Sequence, residues 1–74
     1  MMDIQFAPGQ RCRSTRAITH NRGVLQRATE GTVLVSRENI GRQLVTVDFD
    51  GGETLVLFAH EIEPLGDGAR IFQA

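Results

Sequence analysis

Cys12 and His20 are the residues of this 74-residue chain that could form a nucleophilic pair. A thiolate beside an imidazole is the arrangement that activates cysteine near neutral pH. Cys12 falls on a short strand and His20 in the segment after it, and a cysteine on a strand of so small a domain reads first as a compact core residue. Metal binding needs several ligands at defined spacing; Cys12, His20 and His60 show none, and there is no Cys-x-x-Cys. His60 beside Glu61 reads as fixing a turn, and Asp48, Asp50 and Glu53 as a solvated hairpin tip. The sequence therefore assigns no catalytic residue, no metal ligand and no cofactor, and the expectation is that the chain is not an enzyme.

Arginine is the other chemistry on offer. All eight basic residues are Arg, with no Lys, Trp or Tyr, and the formal net charge is −1. Residues 1–29 carry Arg11, Arg13, Arg16, Arg22 and Arg27 against Asp3 alone, whereas 30–74 carry three arginines against eight acids. Arg11 and Arg13, two apart on a strand, share one face. Two uses follow. The five arginines can offer a docking surface to an acidic partner, or they can pair with the acids of the second half when the chain folds back on itself. Guanidinium forks also suit phosphate oxygens, so nucleic acid is the alternative partner. Net acidity and the lack of stacking aromatics weigh against it.

The elements that must position these residues have the period of strands. Val45, Val47 and Phe49 alternate with Thr46 and Asp48, predicting a strand over Gln43–Phe49. Asp50-Gly51-Gly52 predicts a tight primed turn, with Glu53–Phe58 returning as the partner strand. Gly31–Ser36 reads as a further strand rich in β-branched residues, linked to the hairpin by 37–42 with Asn39 and Gly41 as turn formers. Pro8-Gly9 breaks the chain ahead of a first strand over Gln10–Ile18. Thr19–Glu30 reads as a long loop in which Val24 and Leu25 cover one end of the core. A single helical turn over Ala59–Glu61 precedes a short last strand, Ile62–Leu65. Val33, Val35, Val45, Val47, Phe49, Val56, Phe58 and Ile62 are the expected core. Leu55 and Leu57 then point away from it and, with Ile71 and Phe72, form the candidate oligomer interface.

This order of signals predicts an all-β fold, a small five-stranded SH3-like barrel with a long first loop and a one-turn helix before the last strand. A lead of 1–7 precedes the barrel of 8–65, and a tail of 66–74 follows. Pro8-Gly9-Gln10-Arg11, Glu30-Gly31-Thr32-Val33, the run Val45 to Gly52 and Glu61-Ile62-Glu63-Pro64-Leu65 together resemble the SH3-like barrels of electron-transport accessory proteins. These include the small photosystem I reaction-centre subunit and the variable chain of ferredoxin–thioredoxin reductase. A looser likeness, to a small nitrogen-fixation accessory family, covers Phe6 to Gly23. The plasmid-borne type II dihydrofolate reductases share the architecture but need a Val-Gln-Ile-Tyr strand, where this chain has Leu55-Val56-Leu57-Phe58.

Length and composition bound the rest. A chain this short supports one domain and buries only about 60% of its unfolded surface, so self-association is a standing expectation. No apolar run approaches the roughly 20 residues of a membrane-spanning helix. The acidic start and the lone cysteine point to a cytoplasmic setting. Four phenylalanines cannot furnish both a core and an aromatic groove for proline-rich or methyl-lysine ligands. The resemblance implies a non-catalytic accessory module that docks on a larger protein such as an oxidoreductase assembly.

Overall fold

Glycine, proline and the alternation of apolar residues divide the chain into short antiparallel strands. The structure, a computed structural model, describes residues 6–65. In chain order the strands are β1 (Arg11–Ser14), β2 (Ile18–His20), β3 (Gly23–Leu25), β4 (Glu30–Asn39), β5 (Arg42–Phe49), β6 (Thr54–Phe58) and β7 (Ile62–Pro64), with a 3-10 turn at Ala59–Glu61 before β7. The fold is all-β: an open five-stranded sheet in the order β6-β5-β4-β1-β7, and a separate β2-β3 hairpin. The tail 66–74, with Ile71 and Phe72, lies outside the described residues, as do 1–5 of the lead.

At the start of the chain Ala7-Pro8-Gly9-Gln10 closes a turn, with Gln10 N–H donating to Ala7 C=O at 3.0 Å and Gly9 at φ 91°. Proline followed by a glycine with positive φ is the chemistry of a type II turn. It lays the segment against β4 through Gly9 N–H to Val33 C=O and seats Phe6 in the core. β1 then ends at Ser14 rather than Ile18, because Ser14 turns its bonding capacity to the returning chain. Its N–H donates to Thr29 C=O, its hydroxyl donates to Gln26 C=O, and the same oxygen accepts Thr29 N–H. Thr19–Glu30 is not one uninterrupted loop. It holds β3 and most of β2, with Ile18 opposite Leu25 and His20 opposite Gly23. Leu25 is buried as expected, whereas Val24 is exposed.

The core lies on the inner face of the sheet: Cys12, Val33, Val45, Val47, Phe49, Leu57 and Ile62, closed by Phe6 and Leu25, with Ile18, Leu55 and Ala59 packed against it. Gly31 is buried opposite Phe49 because nothing larger fits; a Cβ there would lie 2.8 Å from Asp48 O and Val47 Cγ1. Three expected core residues, Val35, Val56 and Phe58, are exposed instead, and both reversals have a cause in register. In β4 the pairing with β5 shifts between Val33 and Val35. The extra residue at this bulge inverts the alternation and sends Val35 to the outer face.

In β6 the cause is the turn. Phe49 N–H bonds Glu53 C=O at 2.7 Å, Gly52 N–H bonds Phe49 C=O at 2.8 Å, and only Gly52 of the glycine pair has positive φ, at 109°. Asp50-Gly51-Gly52 is thus the three-residue loop that the sequence marks, a type I turn closed by a left-handed glycine rather than a primed turn. With Phe49 opposite Glu53 across this loop, Leu55 stands opposite Val47 and Leu57 opposite Val45. Leu55 and Leu57 therefore line the core, and Val56 and Phe58 take the outer face.

Candidate functional site

β1 presents Arg11 and Arg13 on the outer face while Cys12 and Ser14 point inward, as alternation requires. Each of these guanidiniums meets a carboxylate from a distant part of the chain. Arg11 forks onto Asp50, with nitrogen–oxygen distances of 2.9 and 2.7 Å, lies 3.4 Å from Glu30 and also donates to Thr32 Oγ1. A fork of this kind fixes direction as well as distance. The Arg11 bond holds the Asp50 carboxyl below the usual carboxylate range, and the same bond raises Arg11 above its ordinary value. Arg13 pairs with Glu63 and is raised by that hydrogen bond. Arg16 reaches Glu61 at 3.3 Å, and Arg22 lies 3.8 Å from Glu53. Arg27 is exposed and, among the described residues, has no ion pair.

His20 joins the second of these clusters. Its Nδ1 accepts the Arg22 backbone N–H at 3.3 Å and lies 3.9 Å from Glu53 Oε1. Glu53 thus ties the β2-β3 hairpin to the start of β6. Cys12 is fully buried, and burial pushes its thiol up, away from the thiolate that nucleophilic chemistry uses. No group of three or more His, Cys, Asp or Glu among the described residues is placed to hold a metal ion. No described helix is long and apolar enough to cross a membrane.

The register reversals create a surface that sequence reasoning missed. On the outer face of β4, β5 and β6, Val35, Thr46 and Val56 stand in one row, and Arg37, Leu44 and Phe58 in the next. Val56 is 62% exposed, Val35 38% and Phe58 37%. The Arg42 guanidinium lies over the Phe58 ring, 5.4 Å from its centroid, and the His60 ring stacks parallel to Phe58 at 5.7 Å. Arg42, Gln43, Phe58, Ala59 and His60 line an open depression beside this row. Arg37 and Arg42 have no carboxylate partner among the described residues. An exposed apolar row flanked by uncommitted cations suits contact with a protein surface that is apolar at its centre and acidic at its margin. The signal for this face was the number of residues in the loop after Phe49, since that number decides which half of β6 points out.

Compared with known proteins, the chain matches no family model, no characterised sequence and no solved structure.

Proposed function

We propose that the chain is a non-catalytic docking module of the SH3-like barrel type, which binds a larger protein through the outer face of β4, β5 and β6. The barrel reading is supported by the strand order, by the hairpin-bearing connection between β1 and β4, and by the single 3-10 turn before β7. The resemblance to electron-transport accessory proteins makes an oxidoreductase assembly the class of partner. The observation that carries the docking reading is the exposed row Val35–Val56–Phe58 with Arg37 and Arg42 beside it. Apolar surface of this kind with basic margins favours a protein partner whose contact patch carries carboxylates. Arg11, Arg13, Arg16 and Arg22 contribute less to docking than their number implies, because each already faces an acid of its own chain. The same engagement weakens the nucleic-acid reading, in which these side chains would hold phosphates.

Affinity capture from native lysate, comparing the full chain with Val35→Asp, tests this. Val35 is partly exposed and away from the core, so the substitution should cost about 1 kcal/mol or less. The expected result is a defined protein retained by the unsubstituted chain, lost with Val35→Asp and insensitive to nuclease. Capture that nuclease abolishes, with a steep dependence on salt, would move the reading to nucleic acid.

A further inference from the structure

β6 is an edge strand protected only at its Phe58 end, where the Glu61 carboxylate takes one N–H. The opposite edge, β7, spans only Ile62–Pro64 and ends on proline, a blunted edge. β6 runs Thr54-Leu55-Val56-Leu57-Phe58 without charge, proline or bulge, and β5 is its partner in the sheet. The Phe49–Glu53 bond fixes which backbone groups β5 uses. Residues opposite one another alternate between bonded and non-bonded pairs, so Leu55 and Leu57 bond β5 while Thr54, Val56 and Phe58 direct N–H and C=O to the open side. The exception is Phe58 N–H, which donates to Glu61 Oε1 at 3.0 Å.

We propose that this edge pairs with the β6 edge of a second copy of the chain, antiparallel, about a two-fold axis at Val56. The Val56 groups are their own complement under that rotation, and the Thr54 N–H finds the Phe58 carbonyl. Each Val56 N–H meets the other copy's Val56 carbonyl, and each Thr54 N–H meets the other copy's Phe58 carbonyl. Phe58 N–H, which the ladder would direct to the other copy's Thr54 carbonyl, is already held by Glu61, so the pairing forms four of its six cross-strand bonds. Charge supports the same orientation. On the outer face the end of β6 at Phe58 carries Arg42 over the ring and Arg37 in the same row, the Glu61 carboxylate at the edge being paired with Arg16, whereas Thr54 stands beside Asp48. Antiparallel pairing sets the basic end of one copy against Asp48 of the other, and parallel pairing would set like against like. Val56, the most exposed apolar side chain of β6, then meets its own counterpart at the centre. The result is a continuous sheet through both molecules with the outer faces side by side. The pairing does not rest on the docking reading, since it uses backbone that the Val35 row leaves free.

Sedimentation velocity of the full chain, from about 1 µM to about 1 mM, tests it with Val56→Lys and Val56→Glu. The unsubstituted chain should dimerise within that range. Each variant alone should dimerise at least about tenfold more weakly, because like charges meet at the axis, and an equimolar mixture of the two should recover a dimer. Thermal melting establishes that both variants fold. A second measurement needs no variant: amide exchange at Val56 and Thr54 should slow as concentration rises, while that of Thr46 stays constant. A chain that remains monomeric throughout, variants that dimerise like the parent, or a dimer with Val56 exchange unchanged would each overturn the proposal. Failure of the Val35→Asp test with these results intact would remove the docking reading alone.

Discussion

Ile40 sits where a β-branched residue is least at ease. With Gly41 it forms the two-residue turn between Asn39 and Arg42, at φ 50° and 77° respectively. Two successive positive φ values define the primed turn that joins twisted strands, and left-handed backbone costs a non-glycine residue roughly 1–2 kcal/mol. The Ile40 side chain is 93% exposed and so recovers little by packing. Ile40→Asn should therefore raise stability by about 0.5–1.5 kcal/mol in urea denaturation, and no change would mean that the turn relaxes to another geometry in solution. Arg11 gives the second residue-scale test. Its fork holds the Asp50 carboxyl down, so Arg11→Gln should move the Asp50 titration up toward the ordinary carboxylate range, readable by carboxyl NMR. A carboxyl with a depressed folded-state pKa adds stability that is present above the unfolded pKa and lost as pH falls through the folded one. Arg11→Gln should accordingly flatten the acid limb of the stability curve.

At the scale of elements, loop length governs which side chains are core. Gly52 needs its glycine because φ is 109°, whereas the adjacent Gly51 is not left-handed and has open space around its Cβ position. Gly52→Ala should cost about 1–2 kcal/mol, while Gly51→Ala should be neutral or stabilising by up to about 1 kcal/mol. Equal losses at both positions in parallel thermal melts would restore the primed turn. The comparison also explains how far the sequence could be read. Val45, Val47 and Phe49 were legible as an inward face because alternation is local, and the turn at Ala59–Glu61 because three residues leave room for little else. The faces of β6 and of β4 beyond Val33 were not: a bulge residue flips every β4 side chain that follows, and the faces of β6 depend on which of its residues the hairpin sets opposite Val47 and Val45. Arg11 and Arg13 were legible as one face of one strand. Their partners Asp50 and Glu63 were not, because each lies far along the chain and meets its arginine only once the sheet is assembled.

For the whole molecule, the charge asymmetry of the sequence is folded into internal pairs. β1 lies between β4 and β7, so the basic first strand is flanked by acids: Glu30 on β4, Asp50 just beyond the end of β5, and Glu63 on β7. All these pairs are at the surface, where salt and solvent reduce their contribution. The energetic weight lies on the inner face, in a core of few side chains with Phe49 as the largest fully buried one. Replacing Arg11 and Arg13 together with Gln should leave a cooperative fold that melts somewhat lower at low salt and differs less from the parent at high salt. Phe49→Ala should cost roughly 3–5 kcal/mol, from lost burial and the cavity left behind. That approaches the entire stability of a small domain, so the variant should be largely unfolded at 25 °C. Circular dichroism melts of the two variants at low and high salt decide between these origins of stability. A double arginine variant that unfolds like Phe49→Ala, with salt making no difference, would place the stability in the β1 ion pairs and not in the core.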